Sequence, residues 1–229
     1  MKHLLYLLAF IFFISCTATK SNRVKANEPV RVQIETDSGT MVARLYNQTP
    51  LHRNNFIKLV KEHFYDSLLF HRVIKNFMIQ GGDPGSKNAK PGALLGEGGL
   101  KYTLPAEFDT LFFHKKGALA AARENDEENP KKESSGTQFY IVEGKTFTDD
   151  EMDKIETRFK IKIPENHRVV YRSLGGAPFL DMSYTVFGEV ESGLEVIDKI
   201  ANAPKDANNR PLQDIRMKIT ILKRNHFKK

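Results

Sequence analysis

Residues 70–83 read FHRVIKNFMIQGGD, and this stretch decides how the rest of the chain is understood. Two short strands are predicted in and beside it, over 69–74 and 77–81, because apolar and β-branched residues cluster there and a glycine pair ends the second run. Side chains alternate along a strand, so His71 should turn away from Arg72 and serve structure rather than chemistry. The glycines of 81–85 and 96–99 are followed by no Lys-Ser or Lys-Thr opening a helix. A nucleotide-binding loop is therefore not expected, and tight turns are.

Working outward, residues 30–36 and 40–46 alternate in character around Asp37-Ser38-Gly39, the pattern of a hairpin. Further short strands are predicted over 118–122, 138–142, 184–190 and 215–223. Thr49-Pro50 reads as an N-cap and first turn, and Phe56, Leu59, Val60 and Phe64 follow at helical spacing. A second helix is predicted from Leu194 to about Ala201, with Leu194, Ile197 and Ile200 on one face. Many short strands with two helices indicate a mainly β barrel, and βα alternation is too scarce for a doubly wound sheet. Residues 143–176 are strongly polar and carry a capping box, Thr148-x-x-Glu151, ahead of a charged helix. They read as an insertion between two strands.

The start of the chain carries an address. Lys2 precedes an unbroken apolar run, LLYLLAFIFFI over 4–14, too short for a bilayer, which needs about 20 residues, but of the length found in secretory signal peptides. The single cysteine, Cys16, follows at once in Phe13-Ile14-Ser15-Cys16. This arrangement resembles a bacterial lipobox with Phe13 in place of the usual leucine, which would make Cys16 the lipid-modified first residue of the mature chain. Cleavage after Ala18, discarding Cys16, is the alternative. A lone cysteine cannot form an internal disulfide in an exported protein, which favours the lipid anchor. The expected organisation is a signal peptide over 1–15, a flexible polar tether over 16–29 and a folded domain over 30–224. The expected location is outside the cytoplasm, in the periplasm and tethered to a bacterial membrane.

The chain has 229 residues, enough for one sizeable core, with 40% hydrophobic and 28% charged residues, a composition that excludes wholesale disorder and a polytopic membrane protein. Its formal charge of +7 is dispersed. The basic clusters Lys115-Lys116, Lys131-Lys132, Lys223-Arg224 and Lys228-Lys229 lack the interleaved aromatics of a single-strand nucleic-acid surface, so they read as solvated faces and no nucleic acid is expected as a partner. The seven histidines show no metal-ligand spacing such as HExxH, so no metal is expected.

Residues 70–83 resemble the signature of the cyclophilin-type peptidyl-prolyl cis-trans isomerases over their whole length. GALAAA (117–122), SSGTQFYI (134–141), FLD (179–181) and TVFG (185–188) resemble further blocks in family order. The resemblance spans about 30–222 apart from the insertion. It implies a closed eight-stranded antiparallel barrel capped by two helices, acting as a monomer on proline-containing polypeptides such as unfolded exported proteins. It also implies Arg72 as the catalytic arginine, and a proline pocket of Phe77, Met78, Tyr140 and Leu180. Gln80 and Gln138 would hold the substrate backbone, Phe139 would join them, Ala122 and Arg123 would border the groove, and Phe179 and Tyr184 would close its far side.

The chemistry suits such residues. A prolyl bond turns over a barrier of roughly 18–20 kcal/mol because the nitrogen lone pair is delocalised, and a donor aimed at that nitrogen favours the twisted state. No cofactor, metal, base or nucleophile is required. Phe179, Tyr184 and Arg123 depart from the best-known family form, which has tryptophan, histidine and asparagine there. Losing the indole donor predicts weak binding of cyclosporin. Arg123 would offer either its backbone alone or a preference for acidic substrates. The competing reading is a catalytically idle cyclophilin-like scaffold whose insertion is a partner surface.

Overall fold

The computed structural model describes residues 28–223. The expected signal peptide, Cys16, the tether through residue 27, and Arg224 lie outside the described residues. Among the described residues, no helix is long and apolar enough to cross a membrane.

The first hairpin forms where alternation placed it. β1 (Arg31–Thr36) and β2 (Gly39–Leu45) pair from Arg31↔Arg44 to Thr36↔Gly39, with Val32, Ile34, Met41, Ala43 and Leu45 turned into the core. Helix α1 (Pro50–Lys61) buries Phe56, Leu59 and Val60, while Phe64 packs against the core just beyond its end. Thr49 occupies the N-cap position but its side chain caps nothing. The Glu107 carboxylate does that work instead, accepting from the backbone N–H of Leu51 (3.0 Å) and His52 (2.9 Å), and its negative charge suits a helix N-terminus.

The remaining elements are β3 (Phe70–Ile74), β4 (Met78–Gly81), β5 (Thr103–Leu104), β6 (Ala118–Ala121), β7 (Ser134–Ser135), β8 (Phe139–Val142), α2 (Asp149–Phe159), α3 (Glu165–Ser173), β9 (Val186–Ser192), α4 (Leu194–Ala201) and β10 (Met217–Ile221). Eight strands form one curled antiparallel sheet in the order β10-β1-β2-β9-β6-β8-β4-β3, and β5 pairs with β7 apart from it. Helices α1 and α4 pack their apolar faces into the main core, whereas α2 and α3 lie within residues 143–176, the expected insertion.

The expected closed barrel is corrected here to an open sheet. Edge strands β3 and β10 share no ladder and meet only at the isolated bridge Leu69↔Arg216, where Met217 donates to the Leu68 carbonyl (2.8 Å) and Phe70 to that of Ile215 (2.9 Å). Farther along β3, Val73 donates instead to the carbonyl of Asn209 (2.8 Å). The loop carrying Asn209 thus takes the place a continuing β10 would need.

The insertion folds on a small core of its own. Phe147, Met152, Ile163 and Tyr171 are buried there, with Phe113, Ile155 and Ile161 packed against them. Thr148 and Glu151 form the capping box: Glu151 N–H donates to Thr148 Oγ1 (3.2 Å) and Thr148 N–H to the Glu151 carboxylate (2.9 Å). The two ends of the insertion meet at the bridge Lys145↔Gly176. Gly144, at φ +68°, lies so close to this junction that a β-carbon would come within 2.4 Å of Gly176 Cα, a position only glycine fills without strain.

Candidate active site

Strand alternation builds the site by dividing β4, β6 and β8 between two faces. Ile79, Leu119, Phe139 and Ile141 point into the main core. Met78, Ala118, Ala120, Tyr140 and Val142 point the other way and gather with Leu180, Val186 and Ala177 in a second apolar cluster, against which Phe77, Phe179 and Tyr184 pack. A register shift between Phe70 and Arg72 lets both Phe70 and Val73 enter the main core while Arg72 pairs with Gln80 on the outer face, as a bulge allows. A groove of about 620 Å³ results.

Arg72 is exposed beside this apolar floor. Its Nη1 donates to Gln80 Oε1 (3.0 Å), Gln80 Nε2 donates to Gln138 Oε1 (2.9 Å), and Gln138 Nε2 is anchored on the carbonyls of Gly96 (2.5 Å) and Gly98 (2.7 Å). This chain of donors fixes where the guanidinium sits. Burial against the groove walls lowers the Arg72 pKa from its ordinary value, with Tyr184 acting in the opposite direction, and an arginine still stays cationic near neutrality.

The floor has a buried polar support. Asp181 accepts from His114 Nδ1 (2.8 Å) and from the Tyr171 hydroxyl (2.7 Å), while His114 Nε2 lies 3.0 Å from the Tyr140 hydroxyl. A carboxylate only accepts, so in the neutral ring Nε2 is left to accept from Tyr140. Burial raises the Tyr140 pKa well above the usual phenol value, with Tyr184 and Asp181 adding to it. Its hydroxyl therefore remains a donor. Among the described residues, no group of three or more His, Cys, Asp or Glu side chains is placed to hold a metal ion.

The family model for cyclophilin-type peptidyl-prolyl cis-trans isomerases matches residues 31–221. The chain belongs to the cyclophilin family. A Staphylococcus haemolyticus protein named as a peptidyl-prolyl cis-trans isomerase is 30% identical over 196 residues, covering 85% of this chain and 91% of its own length. A Staphylococcus aureus protein named in the same way is 31% identical over 187 residues, covering 81% and 88%. Among solved structures, a cyclophilin of Cryptosporidium parvum has a similar fold, with a TM-score of 0.63 at 24% identity, covering 85% of this chain and 98% of its own. The chain is an isomerase of the cyclophilin type.

In this cyclophilin, ten of the residues expected at the site line the groove: Arg72, Phe77, Met78, Gln80, Ala122, Arg123, Gln138, Tyr140, Leu180 and Tyr184. Phe139 does not, and its expected substrate contact is corrected. It is 1% exposed in the main core, edge-on to Phe56, Tyr65 and Phe70, because the alternation that brings Gln138 and Tyr140 outward sends the residue between them in. Phe179 is not part of the lining itself but flanks it, half-buried, with its ring 5.5 Å from that of Phe77. Arg123 is no free cation for acidic substrates. Its side chain is 4% exposed, ion-paired to Asp126 (2.6 Å), bonded to the carbonyls of Ser183 and Glu124 (both 2.8 Å) and laid over the Tyr184 ring at 4.4 Å. It clamps two walls of the groove together.

His71 is buried under the glycine loop, next to the bulge: a β-carbon on Gly96 would stand 3.6 Å from its Nε2. Burial lowers its pKa to about 4, Asp83 opposing. The glycines of that loop do more than turn, since Gly98 leaves room for Asp83, whose Oδ1 a β-carbon would meet at 1.9 Å. Sequence reasoning also missed a carboxylate-rich half of the groove, formed by Glu97, Glu124, Glu128 and Glu133. The acidic stretch over 124–133 was the available signal, and it reads as a solvated face until the fold bends it round the groove.

Proposed function

We propose that the chain accelerates rotation about Xaa-Pro bonds of exported polypeptides by a non-covalent route. Arg72 donates to the prolyl nitrogen as its lone pair localises, and the apolar floor of Phe77, Met78, Tyr140 and Leu180 holds the ring. The observation that carries this reading is the Arg72 guanidinium held at the edge of that floor by Gln80, Gln138 and two backbone carbonyls. In this reading Gln80 and Gln138 hold the substrate backbone, and Ala122 and Arg123 border its path. Raising the rate from an exchange over tens to hundreds of seconds to about 10 per second takes roughly 3–4 kcal/mol. A charge-assisted hydrogen bond worth roughly 1.5–3 kcal/mol and a partly desolvated pocket are of that size.

The proposed address is a membrane facing the periplasm, through a lipid on Cys16 and a tether over 16–29, with the domain acting as a monomer. The test combines refolding of a proline-limited protein with fractionation of cells making the full chain or Cys16→Ala. Acceleration of refolding, with membrane association lost in Cys16→Ala, is expected. No acceleration would favour the idle scaffold, and unchanged association would remove the anchor.

A further inference from the structure

The insertion does not stand clear of the groove. Phe159, the last residue of α2, stacks on Phe179 with ring centroids 5.7 Å apart and planes at 30°. Phe179 lies against Phe77, 5.5 Å away, and Phe77 lines the groove. Three rings thus follow one another in contact from the apolar floor onto the 143–176 segment. The outermost is still 43% exposed, so it has a face to offer.

That face is held in place. Lys160 ends the helix in the left-handed region at φ 54°. One turn earlier, Glu156 accepts from groups beyond the helix end: the Ile163 N–H (2.7 Å), Lys162 Nζ (2.9 Å) and Arg168 Nη2 (3.1 Å). The Ile163 bond, then those of Lys162 and Arg168, bring its pKa down to about 2. At the other end of the insertion, Tyr171 is bonded to the same Asp181 that supports His114 and Tyr140 under the floor. The insertion is fastened to the site on two sides, and a preorganised contact loses little entropy when it is used.

We infer that Phe159 is a specificity-determining residue: it prolongs the aromatic wall of the groove and takes an apolar side chain of the bound polypeptide some three residues from the proline. The spacing follows from the rings. Two steps of this size reach at most about 11 Å beyond Phe77, and an extended chain covers about 3.3–3.6 Å per residue. The occupant is a further stretch of the same substrate because the row is continuous with the groove. The inference rests on the isomerase reading and adds to it a preference for longer, apolar-flanked substrates.

The test compares the full chain with Phe159→Ala and Phe159→Leu on three substrates. One is a tetrapeptide, and two are octapeptides carrying phenylalanine three residues before or three residues after the proline. For one octapeptide, Phe159→Ala is expected to lose roughly three- to tenfold more kcat/KM than for the tetrapeptide, the size of an aromatic contact. Phe159→Leu should recover part of it, and Val169→Ala, on the exposed side of α3, should not discriminate among the substrates. Equal losses on all three would reduce Phe159 to packing against Phe179 and overturn the inference, as would no loss on any. If the unmutated chain accelerates nothing, the isomerase reading fails by itself. Fluorescence anisotropy of the labelled octapeptides then decides: weaker binding by Phe159→Ala supports the extended wall, and equal affinity removes it.

Discussion

Removing the guanidinium of Arg72 tests the chemistry most directly. Arg72→Ala leaves Gln80 still held by Gln138 (2.9 Å), and Gln138 by the carbonyls of Gly96 and Gly98, so the groove keeps its shape while losing its cation. The lost interaction is a charge-assisted hydrogen bond that forms only as the prolyl nitrogen regains its lone pair. Taken as roughly 1.5–3 kcal/mol, it corresponds to a fall of about 10- to 150-fold in kcat/KM. The planar ground state offers the guanidinium no lone pair, so the fall should appear in kcat, with KM nearly unchanged. Arg72→Lys should sit between the two, because a compact ammonium cannot keep Gln80 and reach the nitrogen in the same fork-like way. The assay is cis-trans exchange of an Ala-Pro tetrapeptide followed by NMR, which needs no coupling protease. A loss under threefold, or one confined to KM, would refute the assigned role of Arg72.

Other outcomes follow from the same geometry. The His71 pKa falls from an ordinary 6.5 to about 4 through burial, so the unfolded chain binds the proton first and stability should decline by up to roughly 3 kcal/mol as pH drops from 6.5 to 4; urea titrations of His71→Phe should show a shallower decline, and an identical slope would clear His71 of it. Tyr140→Phe deprives the buried His114 Nε2 of its partner and should cost about 1–3 kcal/mol, read from the denaturation midpoint, with a change under 0.3 kcal/mol (roughly the size of a neutral surface substitution) excluding the bond. Cyclosporin should inhibit weakly, and Phe179→Trp, by restoring an indole donor, should lower the inhibition constant roughly 2- to 12-fold; an unmutated chain already matching tryptophan-containing relatives would contradict this.

Local signals carried much of the architecture. The alternation of Val32 and Ile34 against Met41, Ala43 and Leu45, the bounds of α4 and the Thr148–Glu151 box were all readable because each depends on residues near one another in the chain. What escaped depends on distant partners. Nothing within α1 announces that Glu107, 55 residues on, caps it. The fate of Arg123 is decided by Ser183 and Tyr184, which the fold alone brings to it. Phe139 was misplaced for a different reason: the motif supplied its role as a block, although alternation between Gln138 and Tyr140 already pointed it inward.

The open sheet has a consequence for a catalyst whose substrates are proline-containing peptides. A bare strand edge offers unpaired N–H and C=O groups to any extended polypeptide segment. Here β3 spends a donor on Asn209, and Met217 at the head of β10 spends its N–H on Leu68 and its carbonyl on Ser67. If the groove works as proposed, occupying these edge groups would favour binding of an extended client in the groove over its capture as an added strand. Cutting back the 206–210 loop should therefore convert a turnover enzyme into a protein that co-aggregates with its substrates.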